Sequence, residues 1–218
     1  GRTSPWIPGC RSRRPCPRAA ADPVVPHIDV ADSVLLVIDA QDRFYGDHRD
    51  DVDRVALRRA LDRAAWVCGV ARALDVPSVV TEEDAETNGR TDPAVRRALG
   101  DAPAHDKTSF GAAANPAILD ALSASSRRTV VVVGLETDVC VAQSAIGLRE
   151  TGLRVVVVRD AVFSAGEAHG FGLLRLAEEG IELLSAKELY YEWLRTLARV
   201  RAFDAAHPDL ASPPGFSL

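Results

Sequence analysis

Short apolar runs alternate with helix-like patterns from Ser33 onward, and this alternation constrains the fold more than any other feature of the sequence. The first run, residues 34–38, is apolar at consecutive positions, which is typical of a strand buried on both faces. The six predicted strands are residues 34–38, 78–81, a short run ending near Lys107, 129–133, 153–158 and 181–184. The alternation predicts an α/β fold. We expect a three-layer α/β/α sandwich with a mostly parallel six-stranded sheet and helices on both faces.

Helix-like patterns fill the intervals between these runs. Asp92-Pro93 and Asn115-Pro116 each join a capping residue to a proline in the first turn, and Gly152 is a typical left-handed terminator. The predicted helices are residues 52–74, a short helix after 92, and residues 115–122, 138–151, 167–180 and 186–201. The sequence has no repeat of solenoid period, so we expect a single domain.

Composition divides the chain into three parts. Residues 1–26 are rich in proline and arginine and lack the apolar centre of a secretory signal, so we expect a disordered or cloning-derived leader. Cys10 and Cys16 in this leader could pair or bind a metal, although a disordered extension is the preferred interpretation. Residues 27–204 hold the predicted domain, and residues 205–218 form an irregular tail.

The net charge and the cysteine content indicate which partners and which cellular compartment to expect. The 218 residues carry a formal net charge of −5, which gives no support for binding to nucleic acid or to an acidic membrane. No apolar stretch approaches the roughly 20 residues that span a bilayer. Four cysteines without zinc-ligand spacing fit a reducing compartment better than a disulfide framework. We therefore expect a cytoplasmic protein that acts on a small molecule, with neither nucleic acid nor membrane as a partner.

Three chemically reactive residues follow three of the predicted strands. Asp39 follows the first strand, Lys107 the third and Cys140 the fourth. Because the carboxyl ends of parallel strands meet at one sheet edge, we expect these side chains to lie together. A carboxylate can take a thiol proton, a lysine can hold the thiolate and orient the acid, and the thiolate can attack an acyl carbon. Cys140 also begins a helical pattern, where the helix dipole favours a thiolate.

The same segments carry a family resemblance. Residues 35–44, Leu-Leu-Val-Ile-Asp-Ala-Gln-Asp-Arg-Phe, resemble the strand-Asp-x-Gln-x-x-Phe opening of the isochorismatase-like cysteine hydrolases. Residues 107–110, Lys-Thr-Ser-Phe, resemble the lysine segment of that superfamily, and residues 134–141, Gly-Leu-Glu-Thr-Asp-Val-Cys-Val, resemble its nucleophile turn. The three segments occur in the family's order, and the similarity extends from about residue 34 to about residue 194. The resemblance implies an isochorismatase-like hydrolase domain with a Rossmann-type sheet over residues 27–204.

The resemblance implies a role for each matching residue. Cys140 is expected to be the nucleophile, Asp39 the general acid/base and Lys107 the third member of the triad. The family places a non-proline cis peptide in the nucleophile turn, here between Leu135 and Glu136. The N–H groups of Glu136 and Cys140 are then expected to bind the oxygen of the substrate.

Residues around the triad are also implied by the resemblance or by their setting. Gln41 and Phe44 are expected to line or brace the substrate pocket. Family members form homo-oligomers, so we expect one here, with the last helix and its Trp193 as a candidate contact. Trp193 is expected either to pack in the core or to form this contact. Cys68 lies among apolar residues of the long helix and is expected to pack in the core.

One departure from the family limits the function. Nicotinamidases of this superfamily carry an Asp-x-His metal motif after the second strand, whereas this chain has Thr81-Glu82-Glu83-Asp84 there. Because no histidine is nearby, we expect no metal and no other cofactor. The acidic segment is interpreted as a solvated loop or, alternatively, as a pocket wall that selects a polar or cationic substrate.

These residues predict a hydrolase acting on carbon–nitrogen bonds other than peptide bonds. A cysteine nucleophile favours attack on the amide or ureido-type carbonyl of a small molecule, through a thioester and an Asp-Lys-Cys triad. An isochorismatase-type vinyl-ether hydrolase, which does not rely on a cysteine nucleophile, and a nicotinamidase are alternative activities. A non-catalytic thiol or binding protein on the same fold is a further alternative, and it would require a blocked pocket or a separated triad.

Overall fold

Six strands form the sheet at the centre of the molecule. The computed structural model describes residues 27–46 and 49–218. The strands are β1 (Ser33–Ile38), β2 (Ser78–Glu83), β3 (Ala104–Lys107), β4 (Thr129–Leu135), β5 (Arg154–Phe163) and β6 (Glu182–Leu184). Their order is β3-β2-β1-β4-β5-β6, and neighbouring strands are parallel throughout. The predicted six-stranded parallel sheet is confirmed.

Eight α-helices connect and cover the strands within the described residues. They are α1 (Arg54–Ala73), α2 (Ala85–Asn88), α3 (Pro93–Leu99), α4 (Pro116–Ala124), α5 (Ala142–Glu150), α6 (Ala168–Glu178), α7 (Ala186–Leu194) and α8 (Leu197–Ala206). Asp92 and Asn115 cap α3 and α4 by accepting hydrogen bonds from N–H groups of the first turn. None of these helices is long and apolar enough to cross a membrane.

Helices pack on both faces of the sheet, and each face has its own apolar core. Successive residues of β1 point to opposite faces, so Leu35 and Val37 belong to one core and Leu36 and Ile38 to the other. Buried side chains of α1, α3, α7 and α8 fill the first core, and those of α4, α5 and α6 fill the second. The α/β/α sandwich is therefore confirmed, and its two cores explain why the central strands are apolar at consecutive positions.

The winding of the chain reverses around β1. This strand pairs with β2 on one side and with β4 on the other, so successive connections leave it in opposite directions. Sheets of this kind open a crevice beyond the carboxyl ends of the strands at the point of reversal. The register sets Ile38 beside Gly134. The segments that follow β1 and β4 are therefore neighbours at this crevice.

β2 is longer than its apolar pattern predicts. The strand continues past Thr81 because Glu82 and Glu83 pair with Asp106 and Lys107 of β3. The interpretation of this segment as a solvated loop is therefore wrong. Glu82 is 2 % exposed, and Glu83 is half-buried at the end of the strand.

The last predicted helix is in fact two helices. α7 ends where Arg195 adopts a φ of 65°, and Thr196 caps α8 through its side chain. Trp193 is 1 % exposed, and its indole N–H donates to Ser33 Oγ at 3.0 Å. Of the two expected roles of Trp193, packing in the core is the one observed, since this side chain belongs to the first core.

The ends of the chain differ from the central domain. The predicted leader, with Cys10 and Cys16, lies outside the described residues. Residues 207–218 contain neither helix nor strand, and they pack against α1. The indole N–H of Trp66 donates to the carbonyl of Leu210 at 2.8 Å, and its ring meets that of Phe216 edge-on. The tail therefore covers part of the first core.

Candidate active site

Asp39 and Lys107 form an ion pair at the carboxyl edge of the sheet. Asp39 directly follows β1, Lys107 ends β3, and 2.6 Å separates Asp39 Oδ2 from Lys107 Nζ. Both side chains are fully buried. Thr81 Oγ1 donates to Asp39 Oδ1 at 2.6 Å, and Lys107 Nζ also donates to the carbonyl of Ser109 at 3.0 Å. These contacts fix the orientation of the carboxylate.

The turn after β4 brings Cys140 to the same edge. Gly134, the next-to-last residue of β4, has a φ of 125°, and a Cβ there would lie 1.9 Å from a backbone oxygen of β1, so the end of β4 requires glycine before the turn. The peptide bond between Leu135 and Glu136 is cis, as the family resemblance implies. A π-helical turn then precedes α5, and Cys140 lies within it rather than at the first residue of an α-helix.

Helix α6 and the end of β5 support this turn from the other side. A Cβ at Gly172 would lie 2.7 Å from the backbone nitrogen of Asp138, so α6 leaves no room for a larger residue. Ser164 Oγ donates to Asp138 Oδ1 at 2.6 Å. A hydrogen bond of 2.9 Å also joins Thr137 Oγ1 and His169 Nδ1. Backbone packing and two side-chain contacts therefore hold the turn in place.

Glu83 brings a second carboxylate to the thiol. Cys140 Sγ donates to Glu83 Oε2 at 2.9 Å, and this oxygen lies 3.8 Å from Lys107 Nζ. One ligand atom from each of Asp39, Glu83 and Cys140 lies within 4.8 Å of the other two. The structure therefore brings the three predicted triad residues together. It adds Glu83, which the sequence marked only as part of an acidic segment.

A family model and a curated relative identify the domain. The model for the isochorismatase domain matches residues 33–188, which is most of the chain. This chain belongs to the isochorismatase family. Proteins of this family are hydrolases. This chain is 32 % identical over 193 residues to isochorismatase domain-containing protein 2 of Bos taurus, and the match covers 88 % of this chain and 85 % of the relative.

Solved structures of isochorismatase-like proteins share the fold. The MAR1 ribonuclease of Caenorhabditis elegans has a TM-score of 0.74 at 26 % identity, covering 88 % of this chain and 98 % of that one. The YcaC gene product of Escherichia coli, described as an octameric hydrolase of unknown specificity, has a TM-score of 0.71 at 23 % identity. That match covers 84 % of this chain and 92 % of the other. The predicted family and fold are confirmed.

The thiol of this isochorismatase-family protein is less acidic than the sequence predicts. Burial raises the pKa of Cys140, and Asp39 and the hydrogen bond to Glu83 raise it further, whereas Lys107 lowers it. The thiol is 3 % exposed and faces two carboxylates, so these effects outweigh the helix end. Burial also raises the pKa of Asp39, against the opposing effects of Lys107 and Thr81. This carboxylate is therefore a stronger base than a solvated one.

Gln41 and Phe44 lie on the segment after β1, as predicted, and differ in their contacts. Gln41 is fully buried, and its side chain accepts the N–H of Glu83 at 2.8 Å and donates to the carbonyl of Glu83 at 3.1 Å. Gln41 therefore braces the end of β2. Phe44 is half-buried and packs against the first core.

Glu136 and Tyr45 extend the site beyond the triad. Glu136 is half-buried, and burial raises the pKa of its carboxyl, with Asp138 and Glu83 adding to the shift and Arg49 opposing it. Tyr45 is 2 % exposed, and burial, followed by the charge of Glu136, raises the pKa of its hydroxyl. No sequence pattern pointed to Tyr45, because its place depends on how the segment after β1 folds over the sheet edge.

The side chains of the site could also be considered as metal ligands. Asp39, Glu83 and Cys140 are the candidate ligands among the described residues. The ammonium of Lys107 already lies 2.6 Å from Asp39 and 3.8 Å from Glu83, so it offsets their charge and would repel a cation. These side chains therefore fit a thiol nucleophile with an acid–base carboxylate better than they fit a metal centre.

Proposed function

We propose that this protein is a cysteine hydrolase that cleaves an amide or ureido-type carbon–nitrogen bond of a small molecule. The observation that carries the proposal is the cluster of Cys140, Asp39 and Lys107 at one sheet edge, with 2.6 Å between the charged atoms of Asp39 and Lys107. A thiol, a buried base and a cation that orients the base are the groups that acyl transfer through a thioester requires.

In the first half-reaction, Asp39 takes the thiol proton while Cys140 Sγ attacks the carbonyl carbon. Because the pKa of Cys140 is raised, the thiol is protonated before attack, so proton removal accompanies bond formation. The tetrahedral intermediate then breaks its C–N bond, and Asp39 returns the proton to the leaving nitrogen. The products are ammonia or an amine and a thioester on Cys140.

In the second half-reaction, Asp39 takes a proton from a water molecule that attacks the thioester carbon. The C–S bond breaks, the proton passes from Asp39 to the sulfur, and the acid is released. Lys107 holds the Asp39 carboxylate in one orientation during both steps. The N–H groups of Glu136 and Cys140 are the proposed donors to the oxyanion.

The residues at the site favour this reaction over its alternatives. Vinyl-ether hydrolysis does not use a thiol nucleophile, and the end of β2 has no histidine for a nicotinamidase-type metal. The C. elegans relative is named a ribonuclease, but a phosphodiester at Cys140 would lie beside the carboxylate of Glu83, which repels it. We therefore propose a small-molecule substrate and no nucleic acid partner.

We also propose that the protein forms a homo-oligomer. The YcaC protein of E. coli is described as octameric, and Phe171 and Leu174 on α6 are 64 % and 58 % exposed. Two exposed apolar side chains one turn apart suit a subunit contact. Light scattering after size-exclusion chromatography tests this, and the mass of a single chain would contradict it. A free thiol at Cys140 supports the proposed cytoplasmic location, because a reducing compartment preserves it.

Ammonia release from a panel of small amides, ureides and carbamoylated amines tests the activity. We expect a hit that Cys140→Ala abolishes and Cys68→Ala preserves, because Cys140 lies among acid–base groups and Cys68 lies in the first apolar core. Intact-mass measurement of the wild type during turnover should show an acyl adduct that the Cys140→Ala variant lacks. Ammonia release that persists in Cys140→Ala would contradict the thioester mechanism. Turnover of isochorismate without amide hydrolysis would favour the vinyl-ether alternative.

A further inference from the structure

The two adjacent glutamates at the end of β2 are used in different ways. Glu82 accepts hydrogen bonds from the N–H and the hydroxyl of Thr91 and pairs with Arg90 at 2.8 Å. The carboxylate of Glu82 is therefore already paired within the fold. Among the described residues, the Glu83 carboxylate accepts a hydrogen bond only from Cys140. Glu83 thus keeps unused acceptor capacity next to the nucleophile.

The backbone of Glu83 is nevertheless held firmly. Gln41 Oε1 accepts its N–H at 2.8 Å, and its carbonyl accepts hydrogen bonds from Gln41 Nε2 at 3.1 Å and Asn88 Nδ2 at 3.0 Å. Glu83 also pairs with Lys107 in the register of β2 and β3. Its carboxylate is therefore presented to the site from a fixed position, which is what recognition of a ligand group requires.

Negative charge exceeds positive charge around the thiol. Asp39 and Lys107 offset each other at 2.6 Å, which leaves the carboxylate of Glu83 without an equal partner. Glu136 is half-buried on the nucleophile turn and lies close enough to Glu83 for that charge to help raise the pKa of its carboxyl, against the opposing effect of Arg49. A cationic group that enters this site would gain attraction, and an anionic group would be repelled.

We propose that Glu83 binds a positively charged group of the substrate, which is a small amide or ureide with an ammonium or guanidinium group near the scissile carbonyl. The inference rests on the proposed function, because that function places the carbonyl beside Cys140. A carbonyl carbon poised for attack lies about 3–3.5 Å from the sulfur, and Glu83 Oε2 lies 2.9 Å from the same atom. A cation a few bonds from the carbonyl therefore reaches Glu83.

Matched amides of different charge test this selection. The probes are the amide of γ-aminobutyric acid, its neutral analogue pentanamide, and the anionic succinamate, assayed at about pH 7 by ammonia release. The wild type should prefer the cationic amide. In Glu83→Gln, kcat/KM for the cationic amide should fall about 10- to 100-fold, as expected for a lost charged hydrogen bond. Pentanamide should change only a few-fold, and succinamate should improve.

Glu86→Gln is the matched control for net charge. Glu86 is exposed on α2, three residues from Glu83, and the substitution removes the same charge from the segment that follows β2. It should leave all three rates unchanged. An equal loss with all three amides in Glu83→Gln, together with a shifted pH profile, would overturn the proposal and make Glu83 the base. Unchanged charge preference in Glu83→Gln would also overturn it.

A second measurement reads the charge at the thiol without turnover. Aminoethyl and sulfonatoethyl methanethiosulfonates carry opposite charges, and each transfers its thioalkyl group to a thiolate with loss of methanesulfinate. Peptide mass mapping gives the rate at Cys140 alone, apart from the other cysteines. The ratio of the cationic rate to the anionic rate should exceed one in the wild type. It should fall about 10-fold or more in Glu83→Gln and stay constant in Glu86→Gln.

The two measurements separate the inference from the function on which it rests. A wild type that hydrolyses none of the amides but shows the rate ratio and its loss in Glu83→Gln would keep the cation-selective site and count against the proposed hydrolase. A rate ratio that Glu83→Gln leaves unchanged would overturn the role of Glu83, even in a protein that hydrolyses amides.

Discussion

Cys140 and Cys68 are both buried, and yet their surroundings give them different chemistry. Cys140 is 3 % exposed and Cys68 is fully buried, and burial is the largest cause of a raised pKa for both thiols. Cys68 lies on α1 in the first core, where its pKa is raised to about 12. Cys140 instead contacts Glu83 and shares the sheet edge with Asp39 and Lys107. The comparison shows that nearby acid–base groups, and not acidity at rest, distinguish a nucleophile from a core cysteine.

Removal of the Lys107 ammonium near Cys140 should have the largest effect on stability and turnover. Lys107→Met leaves the buried Asp39 and the half-buried Glu83 without their ammonium, so we expect the free energy of unfolding to fall by about 3–5 kcal/mol. Turnover should fall at least about a hundredfold, because the base loses the group that orients it. Urea denaturation and the ammonia assay measure the two effects.

Arg90→Met is the matched control for this change. Arg90 pairs with the buried carboxylate of Glu82 but is itself largely exposed, and Thr91 continues to donate two hydrogen bonds to Glu82. Its loss of stability should therefore be much smaller, and turnover should persist. Equal losses of stability and turnover in Lys107→Met and Arg90→Met would mean that the ion pair of Lys107 with Asp39 does not contribute specifically to the site at Cys140.

A substitution that strains the backbone near Cys140 should have the next largest effect, and it should affect Cys140 but not Cys68. An alanine at Gly134 would force a Cβ to within 1.9 Å of a backbone oxygen of β1, so Gly134→Ala should lower the free energy of unfolding by about 3–5 kcal/mol. Alkylation mapped to Cys140 should change, since this turn positions the thiol, while Cys68 should stay unreactive in the folded protein.

Gly152→Ala provides the comparison for Gly134. Gly152 also has a positive φ, of 91°, but a Cβ there would meet nothing within 4 Å. Gly152→Ala should therefore lower the free energy of unfolding by only about 1–2 kcal/mol, which is the cost of a positive φ in a residue with a Cβ. If Gly134→Ala were no more harmful than Gly152→Ala, close approach of the two strands could not be what fixes the turn.

The positions of Asp39, Lys107 and Cys140 could be predicted because each lies at or just beyond the carboxyl end of a predicted strand, and parallel strands end at one edge. The role of Glu83 could not. β2 extends to Glu83 only through pairing with β3, which is a contact between distant parts of the chain. The direction of the pKa shift at Cys140 could not be predicted either, because the burial and the two carboxylates that raise this pKa come from other elements.

Truncation of the core cysteine should have a smaller effect that is confined to stability. Cys68→Ala removes a fully buried sulfur from the first core, so we expect a loss of about 1 kcal/mol in the free energy of unfolding. Turnover should remain within about twofold of the wild type, because no acid–base group depends on this thiol. Thermal denaturation and the ammonia assay would check both statements. A large loss of turnover at unchanged stability would give Cys68 a role that its surroundings do not explain.

The pH dependence of stability should show the smallest difference between the two cysteines. It depends on a feature that they share, which is a raised thiol pKa. Their folded pKa values lie above the reference value of 9.0, so above about pH 9 the folded state keeps protons that the unfolded state has lost. The stabilisation is complete below pH 9 and is lost as pH rises. The free energy of unfolding should therefore decline by up to about 1.4 kcal/mol per pH unit for each thiol. Cys68→Ala and Cys140→Ala should each reduce this slope between about pH 9 and 10 in urea titrations. If only Cys68→Ala reduced it, Cys140 would ionise in the folded protein, and the carboxylates around it would not be suppressing its thiolate.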